Sequence, residues 1–142
     1  MGQAWARLVL ASLLLVPVVA ASPAALDTRV VALPPSVDPS TGGVGMRGGY
    51  APVVVVADVS GTLTFTNLDI AAHDIIAKQL GPTDNPWCSR YVGHHFCPLF
   101  ASPLIGLGKE AVVEGTDQLQ PGRTYDFFCS IHHWMTGTIV AI

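Results

Sequence analysis

Residues 127–137 read Phe-Phe-Cys-Ser-Ile-His-His-Trp-Met-Thr-Gly, which places Cys129, His132 and Met135 at C-x-x-H-x-x-M spacing. Thiolate, imidazole and thioether are all soft or borderline metal donors. With three Cys, five His and three Met in 142 residues, chance would produce this spacing about 0.002 times per chain. The bland reading, a buried Cys beside a surface His and a core Met, is therefore the lesser one. The ligand types choose the metal. Thiolate and thioether favour copper and imidazole suits it, whereas structural zinc sites use Cys, His or carboxylate and Met serves them poorly. A seven-residue loop does not close around an ion alone. The candidate for a further ligand is His73, in the run Asn-Leu-Asp-Ile-Ala-Ala-His-Asp that ends at Asp74.

Short strands must position these residues. The run 53–58 is β-branched and uninterrupted, which predicts a strand covered on both faces. Residues 62–67 alternate strictly, with Leu63 and Phe65 on one face and Thr62, Thr64 and Thr66 on the other. Short apolar runs at 74–77 and 110–114 add two more strands. Pro121-Gly122 supplies the residues of a type II turn and leads into 125–129, where Tyr125, Phe127 and Cys129 share a face. A β-branched run at 137–142 closes the chain, and Thr28–Leu33 offers one further strand. Six or seven short strands, Gly/Pro turns and no 3.6-residue period indicate a β-sandwich. The metal candidates then sit in loops at one end of it. The stretch 79–108 is the exception, a long connection with few strand signals, and loops of that length are usually functional or covalently tied down.

Two His, one Cys and a weak axial Met form the arrangement of blue-copper electron-transfer sites. At these residues the chain resembles the cupredoxins, the small copper proteins that include plastocyanin and amicyanin. The likeness spans about 50–67, the His73 segment and 123–142, and the short loop from Cys129 to Met135 is similar to that of amicyanin. The resemblance implies an all-β, Greek-key β-sandwich; the long disulfide-tied loop insertion at 79–108 departs from the pattern, being longer than the corresponding connection in the smallest cupredoxins. It implies one type 1 copper ion held by His73 and His132 through imidazole nitrogen, by Cys129 through thiolate, and by Met135 axially. It gives Asp74 the place of a polar residue that links the two ligand loops by hydrogen bonds. His132 becomes the residue that passes the electron, with Ile131 or Trp134 at an apolar docking rim; core packing is the equal alternative for Trp134. His133 departs from the pattern, because a proline is usual there, and a less rigid loop is expected.

The cysteines then divide. With Cys129 committed to metal in an exported chain, a Cys88–Cys97 disulfide is the economical assignment. The loop it closes contains His94 and His95, which invite a copper-loading reading with His133 but read more simply as exposed loop histidines.

Composition bounds the rest. Residues 1–7 carry one cation, an apolar run follows to Val19, and small residues follow that, the layout of a signal peptide over 1–20. The apolar run is too short for a permanent span. Its removal leaves 122 residues, enough for one core. Residues 21–49 read as a Pro/Gly-rich segment and 50–142 as the copper-binding domain. Lys and Arg number 7 against 10 Asp and Glu, which excludes a basic stripe for nucleic acid. Gly and Pro together number 25 and only 12% of residues are charged, which excludes a helical bundle. The leading expectation is an exported, monomeric one-electron carrier of the periplasm, cell envelope or exterior, serving protein redox partners and holding no stable membrane span. Copper delivery or storage is the alternative, and a copper-free interaction module comes third. An enzyme is the weakest option, since multicopper oxidases and nitrite reductases use further His-rich motifs and more than one domain.

Overall fold

A computed structural model describes residues 25–34, 36–37, 44–46, 48–88 and 96–142. The expected signal peptide at 1–20 lies outside the described residues, as do His94 and His95. Ten strands follow in order: β1 (Thr28–Leu33), β2 (Ser36–Val37), β3 (Val44–Met46), β4 (Gly49–Ala51), β5 (Val54–Ala57), β6 (Leu63–Asn67), β7 (Ile76–Ala77), β8 (Glu110–Val112), β9 (Thr124–Phe128) and β10 (Thr136–Ala141). Among the described residues, no helix is long and apolar enough to cross a membrane.

Two four-stranded sheets face each other, in the orders β4-β1-β6-β8 and β5-β10-β9-β7. The β1–β6 and β5–β10 pairs are parallel and the others antiparallel. Among the described residues, β2 and β3 pair only with one another. The chain changes sheets between β4 and β5, across the cis Ala51–Pro52 bond. Because β1 lies between β4 and β6, the sandwich begins within the Pro/Gly-rich segment, before residue 50.

Alternation builds the core. Val30, Ala32, Leu63 and Phe65 from the first sheet meet Val55, Ala57, Tyr125, Phe127, Ile139 and Ala141 from the second. The expected inward faces of β6 and β9 are the observed ones. Gly137 is required in β10, since a Cβ there would stand 2.3 Å from the Phe127 ring. Gly122 has φ +82, and the amide of Arg123 donates to Gln120 O at 3.2 Å, closing the turn read at Pro121-Gly122.

The expectation that the valine run is covered on both faces is corrected. β5 is an edge strand bonded only to β10, and Val54 and Val56 are more than half exposed. β-Branching favours the extended backbone whether one face is buried or both.

The long connection does not stand apart. Its returning limb lies antiparallel to the outgoing one, through bridges at Leu80–Pro98, Ile76–Ala101 and His73–Ile105. A Cys88–Cys97 disulfide closes its far end, with Cα atoms 4.8 Å apart. Trp87 is buried there and donates its indole N–H to Pro98 O at 2.9 Å. The insertion is therefore pinned both covalently and by hydrogen bonds.

Candidate metal centre

Two loops at one end of the sandwich supply the donors. The first joins β6 to β7. Asn67, the last residue of β6, is fully buried and acts as its template. Its Oδ1 accepts the Asp69 amide at 2.8 Å, and its Nδ2 donates to Ala71 O at 2.7 Å and Ile105 O at 2.9 Å. This Asx turn bends the chain so that His73 lands beside the returning limb. His73 and Ile105 exchange backbone hydrogen bonds of 3.0 and 2.9 Å, so the ligand candidate hangs on a paired backbone rather than a free loop.

The His73 ring is oriented from behind. Its Nε2 lies 2.8 Å from Asp69 Oδ2, and both side chains are buried. Burial raises the Asp69 pKa, but the hydrogen bonds from His73 and from the Ala71 and Ile70 amides outweigh it and hold the carboxyl below its ordinary value. The carboxylate therefore accepts from Nε2–H, and Nδ1 keeps a bare lone pair aimed into the site.

The second loop runs from the end of β9 to the start of β10. The Cys129 amide donates to Met135 O at 3.0 Å, and the Met135 amide to His132 O at 2.7 Å. The two ends are thereby folded onto each other. Asp74 joins this loop to the first: its Oδ1 accepts the Ser130 amide at 2.7 Å and its Oδ2 the Ser130 hydroxyl at 2.5 Å. His133 is exposed, donates Nε2–H to Ser130 O at 2.8 Å and meets the Phe128 ring edge-on. Where proline would stiffen the loop through its ring, this histidine stiffens it through a hydrogen bond.

These constraints converge on three atoms. Cys129 Sγ lies 3.6 Å from His73 Nδ1 and 3.7 Å from His132 Nδ1, and the two nitrogens are 3.1 Å apart. Two imidazole nitrogens facing each other so closely repel unless a proton or a metal ion lies between them. A point equidistant from all three atoms falls about 2.0 Å from each, close to the ~2.0–2.3 Å bonds that zinc makes to imidazole and thiolate. The triangle thus fits a first-row transition ion. It is the described group of His, Cys and acidic residues able to hold one.

Burial grades the site from inside to out. Cys129 and His73 are buried and His132 is half-buried. Burial pushes the Cys129 thiol above its ordinary value, while backbone hydrogen bonds from the surrounding loops pull the other way. Met135 is only 2% exposed and belongs to the same core cluster as Cys129. Ile131 and Trp134, on either side of the two loop histidines, are each about half exposed. Trp134 lines an open apolar cleft of about 660 Å³ with Leu33, Tyr50 and Val53, so it is not a core residue.

Sequence reasoning missed Asn67, Asp69 and Tyr50. Asn67-x-Asp69 is a recognisable Asx-turn signal, and Asp69 stands four residues before His73. Tyr50 gives no local signal at all.

No protein-family model matches the sequence, and no curated protein matches it. Solved structures do. A purple cupredoxin from Nitrosopumilus maritimus is 22% identical, with 82% of this chain and 100% of that chain covered, at a TM-score of 0.53. A reduced Cu(I) form of an amicyanin mutant is 16% identical over 86% of each chain, at a TM-score of 0.48. A Cu-containing nitrite reductase from Thermus scotoductus is 20% identical over 89% of this chain but 25% of its own, at a TM-score of 0.48.

Proposed function

We propose that this chain, whose sandwich is the cupredoxin fold, is an exported type 1 copper protein that carries single electrons between protein partners. The observation that carries the reading is the triangle of one buried thiol and two imidazole nitrogens at one end of the sandwich. His73 and His132 would hold the ion through Nδ1 and Cys129 through its thiolate, and Met135 would offer its thioether from the same loop. The soft sulfur donors select copper over harder metals. A copper ion held there supplies one-electron chemistry, alternating between Cu(II) and Cu(I).

The residues of the chain supply the rest. Asp69 fixes the His73 tautomer, and Asp74 ties the two donor loops so that neither moves alone. Donors held against rearrangement suit an ion whose two oxidation states prefer different geometries. Burial of Cys129 and Met135 shields both sulfur donors from bulk solvent. His132 reaches towards the surface beside exposed Ile131 and Trp134, which favours a contact surface for a redox partner there. The Cys88–Cys97 disulfide favours an oxidising, exported location.

The test is a Cu(II) titration of the purified, leader-free protein followed by visible absorption. One equivalent should develop an intense thiolate-to-copper band that is missing in Cys129→Ser. A colourless wild type, or a band that persists in the variant, would sink the proposal.

A further inference from the structure

We propose that Tyr50 is a positioning residue of the metal centre, holding the Asp74 main chain and so setting the separation of His73 from the Cys129 sulfur. The inference rests on the copper reading above and adds a residue that lies more than twenty positions from any ligand.

Tyr50 belongs to β4, an edge strand of the sheet that also holds β6, yet it is only 4% exposed. Its ring is wedged between Phe65, at 6.1 Å between centroids, and Phe127, at 4.9 Å. The hydroxyl at the end of that rigid lever donates to the carbonyl oxygen of Asp74. Asp74 is the junction of the site. It directly follows His73, and its carboxylate holds both polar hydrogens of Ser130, the residue after Cys129. The next residue is anchored as well, because the Ile75 amide donates to Ser102 Oγ at 2.9 Å.

The junction is thus gripped from β4, from the second loop and from the returning limb. Phenylalanine would fill the same space between the aromatic rings. It would leave a buried carbonyl without its donor, which a backbone relieves by shifting. A shift at Asp74 is transmitted one residue back to His73 and, through Ser130, to Cys129.

The experiment compares copper-loaded wild type, Tyr50→Phe and Tyr125→Phe. The control removes a hydroxyl of the same kind, which accepts the Gln120 amide at 2.9 Å. It lies four residues from Cys129, about 13 Å along the strand. Tyr50→Phe should bind copper about 10-fold more weakly or worse and should alter the relative intensities of the thiolate-to-copper bands. Tyr125→Phe should lower the melting temperature with the bands unchanged. Wild-type affinity and bands in Tyr50→Phe, with only a lower melting temperature, would overturn the inference. A wild type without a thiolate band would instead bring down the copper reading and this inference with it. If Tyr50→Phe fails to fold, 3-fluorotyrosine at position 50 keeps the ring and strengthens the donor. A changed band ratio then supports the inference and an unchanged one overturns it.

Discussion

Cys129, His73 and His132 point three donor atoms at one another across less than 4 Å, and hydrogen bonds behind them make that arrangement stable. The most direct is Asp69 on His73 Nε2. Asp69→Ala frees the ring to turn and to change tautomer, and a loss of about 10–100-fold in copper affinity is expected. Asp69→Asn keeps an acceptor and should lose less. Competition with a copper chelator measures both, and equal affinities for the wild type and the alanine variant would refute the role. At this scale the sequence was informative where chemistry is contiguous. Cys129, His132 and Met135 lie within seven residues, and His73 stands six residues past the end of an alternating strand. Asn67 and Asp69 left a local Asx-turn signal but no period, and Tyr50 was hidden because its partner is chosen by the packing of the two sheets.

The elements act as spacers between the loops. β6 and β9 were legible because Leu63–Phe65 and Tyr125–Phe127 alternate over a core that buries one face. β5 was legible as a strand but not as an edge, since valine favours the pleat on either side of it. The antiparallel pairing of 73–81 with 97–105 was not legible, because it consists of isolated bridges and a disulfide rather than an alternating run. The turn after β5 allows a test by pH. Asp58 accepts the Ser60 hydroxyl at 2.7 Å and amide at 2.9 Å, and the Leu26 amide at 3.3 Å. These bonds lower its pKa below the ordinary 3.8. A carboxyl with a depressed folded-state pKa adds stability above its unfolded value and loses it as pH falls through the folded one. Asp58→Ala should therefore melt lower than wild type at pH 7, with the gap closing as the pH falls below the ordinary 3.8 and through the depressed folded-state value. Thermal melts across that range check the sign, and a gap that widens in acid would contradict it.

At the scale of the whole molecule, the sandwich holds one rigid end, and the long insertion is fastened to it twice. Removing the covalent fastening with Cys88→Ser/Cys97→Ser should cost roughly 2.5 kcal/mol by loop-closure entropy. The copper spectrum should not change, because His73 is tied to the insertion through Ile105 and not through the disulfide. Denaturant unfolding and visible absorption of the double variant separate the two effects. A spectrum that changes would mean that the disulfide end of the insertion also positions the ligands.

The central claim is that a single ion sits among Cys129, His73 and His132 in both oxidation states. X-ray absorption at the copper edge, on oxidised and reduced wild type, tests it most directly. One sulfur and two nitrogen neighbours at short distance are expected in both states, with the sulfur lost in Cys129→Ser. A shell of nitrogen and oxygen alone, or one that sheds a histidine on reduction, would contradict the account.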